Sequence, residues 1–127
     1  MYILNLEDDV YKHHAICKAL ENGGLGTLKV DCAGNLEEGL KLIKKNQKNQ
    51  PYDLIITDMW YPETAGGECT DSGEKLIQTV KDNEWNIPII LCSSVRYRFS
   101  GILGVVHYSE KEDWEKELVM LIKNRDQ

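Results

Sequence analysis

Four places in this 127-residue chain carry side chains suited to metal or phosphoryl chemistry. The acidic triplet Glu7-Asp8-Asp9 follows the apolar run Tyr2 to Leu6, and Asp58 follows Leu54-Ile55-Ile56-Thr57. Ser93 follows Pro88 to Cys92, and His107 closes the run Leu103 to His107. Each has an ordinary structural reading, because Asp commonly caps turns and carboxylates suit the positive end of a helix dipole. Three acidic residues in succession exceed what a single cap requires. If Glu7, Asp8 and Asp58 are brought together, their charges repel and raise at least one pKa unless a cation neutralises them. An all-oxygen ligand set that retains several waters is what Mg²⁺ accepts. Such an ion would bridge Asp58 to a phosphoryl oxygen during in-line transfer, while the Ser93 hydroxyl donates to another oxygen.

The elements that must position these groups alternate in kind. Residues 2 to 6 read as a strand, and residues 10 to 22 as a helix with Asp9 as N-cap, Val10, Ala15, Ile16, Ala19 and Leu20 at helical spacing, and Gly23-Gly24 as its stop. Thr27 to Ala33 is a second strand, followed by Asn35 as cap and Leu36, Leu40 and Ile43 on one helical face. After the polar loop NQKNQ, a β-branched run between Pro51 and Pro62 delivers Asp58 to the end of a third strand. The loop ETAGGECTDSG leads to a helix from Glu74 to Asn83, then Pro88 to Cys92 and Leu103 to His107 give two more strands, and Trp114, Leu118, Leu121 and Ile122 mark a terminal helix. Alternation of this kind implies a doubly wound α/β fold, a three-layer sandwich around a five-stranded parallel sheet. Parallel sheets bind ligands at the carboxyl ends of their strands, where Glu7, Asp8, Asp58, Ser93 and His107 all fall.

Bulk properties narrow the function classes. A chain of 127 residues with 42% hydrophobic composition fits one domain, residues 1 to 127, able to bury a core without staples. A net charge of -6 argues against a surface built to grip nucleic acid. Cys17, Cys32, Cys69 and Cys92 form no CxxC pair, so reduced thiols are the simplest reading. No apolar run approaches the ~20 residues of a membrane span, and three acidic residues among the first ten are wrong for a signal peptide. A soluble, cytoplasmic protein is expected.

The order ILNLEDDV, DLIITDMWYP and PIILCSS resembles the receiver domain of response regulators over nearly the whole chain. The resemblance implies a flavodoxin-like fold and a place in a phosphorelay. Asp58 would accept a phosphoryl group from a histidine kinase or phosphotransfer protein. It implies Mg²⁺ held by Asp8 directly, by Glu7 mainly through water, by Asp58 and by the backbone carbonyl of Trp60, with Ser93 as the switch hydroxyl. No separate substrate turnover is implied, and the downstream protein partner is not specified.

The chain departs from that pattern in several places. The family usually places a Lys, followed by Pro, after the fifth strand; here His107-Tyr108 stands there, so His107 either contacts phosphate in its stead or is a strand-end residue without that role. Lys111 lies a few residues on, within possible reach as a substitute. Gly104 occupies the place of an aromatic residue that swings inward, so either Tyr108 or Tyr97 serves instead or the usual coupling of hydroxyl to aromatic residue is absent or rebuilt. Only nine residues, Ser94 to Ile102, separate the fourth and fifth strands, fewer than the ~10 to 12 of a helical crossover, so the fourth crossover helix should be shortened or absent. Arg96 and Arg98, interleaved with Tyr97 and Phe99, are either a partner contact or solvated charges with two rings closing the sheet edge. The loop after Pro62 should overhang the rim as a lid, or be a long surface loop without a role, with Cys69 exposed and His13 and His14 on the surface. Two other functions stay open: a receiver-like module that binds partners without phosphorylation, and a haloacid-dehalogenase-type phosphatase, which needs an Asp where Trp60 stands.

Overall fold

The computed structural model describes residues 1–125. Its order is β1 (Tyr2–Leu6), α1 (Val10–Asn22), β2 (Lys29–Ala33), α2 (Leu36–Asn46), β3 (Leu54–Thr57), β4 (Tyr61–Pro62), β5 (Cys69–Thr70), α3 (Ser72–Asp82), β6 (Ile89–Ser93), β7 (Gly104–His107) and α4 (Trp114–Lys123). Five strands form one parallel sheet in the order β2-β1-β3-β6-β7. This is the expected doubly wound sandwich, and β1, β3 and β6 are buried along their full length because helices cover both faces.

Side-chain alternation divides the core into two clusters. Leu4, Leu6, Ile55 and Ile89 face α2 and α3, where they meet Leu36, Ile43, Leu76 and Val80. Ile3, Leu54, Ile56, Ile90 and Cys92 face α1 and α4, where they meet Ile16, Leu20, Leu118 and Ile122. The helix starts follow the residues that precede them. Asp9 Oδ1 accepts from the Tyr11 and Lys12 amides, and Asn35 Oδ1 accepts from the Glu38 amide while its Nδ2 donates to Glu38 Oε2.

The connection from β6 to β7 contains no helix, as its length requires. Phe99 and Ile102 in this segment pack against the α2–α3 side of the core in its place. Several boundaries differ by one or two residues from the sequence reading: β2 begins at Lys29 rather than Thr27, α3 spans Ser72–Asp82 rather than Glu74 to Asn83, β6 spans Ile89–Ser93 rather than Pro88 to Cys92, and β7 begins at Gly104 rather than Leu103. Val10, counted on the buried stripe of α1, is 64% exposed because that stripe starts at Lys12.

The segment after Asp58 carries structure of its own. β4 and β5 form an antiparallel ribbon of two-residue strands, too short to leave a periodic signal. Tyr61 is fully buried, its hydroxyl 3.0 Å from Thr57 Oγ1, and Ser72 Oγ donates to the Tyr61 carbonyl. Glu63 is tied down twice, by its carbonyl accepting from the Glu37 amide and by an ion pair with Lys75.

Candidate metal centre

Parallel pairing brings the strand ends to one rim. Leu6 is in register with Ala33 and Thr57, and Thr57 with Leu91, so the residues following β1, β3 and β6 emerge side by side. Carboxylate oxygens of Glu7, Asp8 and Asp58 lie within 4.8 Å of one another. The Asp58 amide donates to the Leu6 carbonyl at 3.1 Å, which locks the two acidic segments together. Asp58 Oδ1 accepts from the Met59 amide at 2.7 Å, leaving Oδ2 turned to the hollow. Asp8 is exposed, and Cys69 Sγ reaches its Oδ2 at 3.7 Å from the ribbon. Cys69 is exposed, and its thiol is held above the usual range by desolvation and by Asp8, which fits the absence of any assigned chemistry.

Lys12 enters this hollow and was not singled out from the sequence. Its side chain is buried, with Nζ 2.9 Å from Glu7 Oε1, 3.4 Å from Asp58 Oδ2, and donating to the Cys92 carbonyl at 2.7 Å. A signal was present: Lys12 stands at i−4 from Ile16 and i−7 from Ala19, on the apolar stripe of α1. A Lys there must find a buried partner. Burial opposes its charge, but the attraction of Glu7 and Asp58 outweighs burial and raises its pKa above the ordinary lysine value. Glu7 is pushed up to about 6, chiefly by desolvation and with Asp58 adding, while Lys12 pulls the other way.

The donor set suits a divalent cation. Glu7 Oε1 is buried and, although close to Lys12 Nζ, lies off the directions of a hydrogen bond and has no other donor. Such an orphaned carboxylate oxygen is what an oxygen-seeking ion would satisfy. Three carboxylates and one ammonium leave two negative charges, the complement of a dication.

Ser93 is buried at the end of β6, where its Oγ accepts from the Val95 amide at 3.2 Å. His107 is elsewhere engaged. Its Nδ1 lies 3.1 Å from Glu112 Oε2 and its Nε2 3.0 Å from the Ser94 carbonyl, so both nitrogens have partners other than Asp58. Glu112 also pairs with Arg96, so the segments after β6 and before α4 hold the ring between a carboxylate and a carbonyl. Lys111 is exposed. A Cβ at Gly104 would lie 2.7 Å from both Leu121 methyl carbons, so α4 fills the space expected of an aromatic side chain. Tyr108 instead places its ring 5.4 Å from Lys12 Nζ and against Trp114, and Tyr97 accepts from Trp60 Nε1. His14 is exposed as expected, whereas His13 is half-buried, with its Nδ1 2.7 Å from Asn5 Oδ1.

No protein-family model and no curated protein sequence matches the chain. Solved structures do. A DNA-binding response regulator of the LuxR family from Staphylococcus aureus superposes with a TM-score of 0.74 at 16% identity, covering 99% of this chain and 98% of that one. The receiver domain of the hybrid histidine kinase CckA gives 0.69 at 22% identity with both chains covered in full. The Mn²⁺-bound form of the response regulator Rcp1 gives 0.71 at 13% identity, covering 96% of this chain and 91% of that one. The fold of this chain is therefore that of the response-regulator receiver domain.

Proposed function

We propose that this protein is a receiver that accepts a phosphoryl group on Asp58 from a phosphohistidine of a histidine kinase or phosphotransfer protein. The observation that carries this reading is the convergence of Glu7, Asp8 and Asp58 carboxylate oxygens within 4.8 Å at the end of adjacent parallel strands. In the step, Asp58 Oδ2 attacks phosphorus; the new P–O bond forms as the P–N bond breaks, and the electron pair returns to the donor imidazole, which keeps its other proton. Mg²⁺ held by Glu7, Asp8, Asp58 and the carbonyl of Trp60 would supply positive charge to the transferring oxygens. Met59 orients the acceptor through its amide, and the Ser93 hydroxyl lies at the neighbouring strand end to receive a phosphoryl oxygen. Val10, Tyr11, Trp60 and Val95 expose apolar surface on segments that follow β1, β3 and β6, where a phosphodonor protein must approach.

No reading as a haloacid-dehalogenase-type phosphatase is supported, because Trp60 cannot protonate a leaving group. Incubation with acetyl phosphate and Mg²⁺ should add one phosphate to the wild-type protein by intact mass, and none to Asp58→Asn. Modification that persists in Asp58→Asn would overturn the assignment.

A further inference from the structure

We infer that Lys12 is the phosphoryl-positioning cation of this site, delivered by the first helix in place of one from the end of the last strand. The inference rests on Asp58 being the phosphoacceptor. Among the described residues, Lys12 supplies the only ammonium or guanidinium paired with Asp58, at 3.4 Å from Oδ2. That is the acceptor oxygen left free by Met59, so a phosphoryl group built on it would extend beside Nζ. The ammonium donates to the Cys92 carbonyl at 2.7 Å and stands 2.9 Å from the Glu7 carboxylate as an ion pair. The contact to Asp58 is the long one and the one a phosphoryl oxygen can replace.

The position is held rather than incidental. The Cys92 carbonyl anchors Nζ to β6, Tyr108 covers it at 5.4 Å, and the stem leaves the buried stripe of α1. The residue at the end of β7, His107, is bound to Glu112 and the Ser94 carbonyl. Charge supports the same role. Phosphorylation removes the Asp58 charge and adds nearly two; with Glu7 and Asp8 still present, a dication alone leaves the site about two charges negative, and the ammonium halves that excess.

The test compares wild type with Lys12→Met and with Lys12→Met/His107→Lys, which moves the cation to the end of β7. Phosphate uptake from acetyl phosphate with Mg²⁺ should slow by about tenfold or more in Lys12→Met, the scale of a charge-assisted hydrogen bond, and recover at least in part in the double variant. Metal binding alone, read by tryptophan fluorescence with Mn²⁺ and no phosphodonor, should tighten in Lys12→Met, because a positive charge has left an acidic site. A structural role for Lys12 does not predict that opposition. Uptake and Mn²⁺ affinity both equal to wild type would overturn this inference while leaving Asp58 as acceptor; a wild type that takes up no phosphate overturns both. Should Lys12→Met fail to fold, the wild type answers: its protected Lys12 ammonium resonance in ¹⁵N-labelled protein should shift on adding beryllofluoride with Mg²⁺. A resonance unmoved at saturation refutes the contact.

Discussion

Gly73 lies where the helix that follows the ribbon meets the acceptor strand, and replacing it with Ala should disturb both stability and chemistry. Its amide donates to the Met59 carbonyl at 2.9 Å. A Cβ there would lie 2.2 Å from the Asp58 carbonyl oxygen, 2.8 Å from Met59 Cα and 3.1 Å from the Asp58 carbonyl carbon. All three are backbone atoms, so no side-chain rotation can relieve the clash. Reaching ordinary contact requires α3 and the end of β3 to separate by roughly 1 Å. The Asp58 peptide resists, being bonded to the Leu6 carbonyl on one side and to its own side chain through Met59 on the other. Overpacking of this kind costs about 1 to 3 kcal/mol, and an unyielding backbone places it near the upper figure. At about 3 kcal/mol the melting temperature should fall by roughly 10 °C for a chain of this size. An acceptor displaced by that distance should also lose up to about 100-fold in the rate of phosphate uptake. Calorimetry and acetyl phosphate labelling read the two effects. Gly39→Ala is the comparison, since its Cβ would meet the Leu6 side chain rather than the backbone of the acceptor strand. A Gly73→Ala protein that melts within about 2 °C of wild type and labels at the same rate would refute the account of how α3 sets the acceptor.

Two further outcomes follow from the site's surroundings. In metal-free protein Glu7 titrates at about 6 against an ordinary 4.5, so the folded state binds its proton more tightly than the unfolded chain does. Stability from this group is greatest below the unfolded value and is lost as pH rises through about 6, by about 2 kcal/mol; urea titrations in EDTA across that range should show the loss in wild type and not in Glu7→Gln, and parallel curves would refute it. Asp9→Ala should cost about 1 kcal/mol in the same assay through the lost cap of α1, and no change would show that the cap contributes nothing.

Much of the architecture was legible because it depends on local pattern. Apolar runs of four to five residues alternating with helical stripes prescribe β1, α1, β3 and β6 almost to the residue, since period and length distinguish a buried strand from an amphipathic helix. A connection from Ser94 to Ile102 has too few residues for a helix, and none formed. Parallel pairing then made the gathering of Glu7, Asp8 and Asp58 a consequence of topology rather than of neighbouring sequence. Tertiary structure decided what local pattern cannot encode. The ribbon of β4 and β5 exists through Tyr61 burial and the Ser72 bond to its carbonyl, both long-range in space and without periodicity. His107 meets Glu112 and Ser94, and Lys12 meets Glu7, Asp58 and Cys92, because a buried or half-buried polar group takes whichever partner three-dimensional packing brings within reach. The chain alone thus determined where its carboxylates collect, while the fold decided which cation stands among them: spacing along a strand or helix fixes a residue's face, but the identity of the charge across that face depends on segments up to 80 residues away.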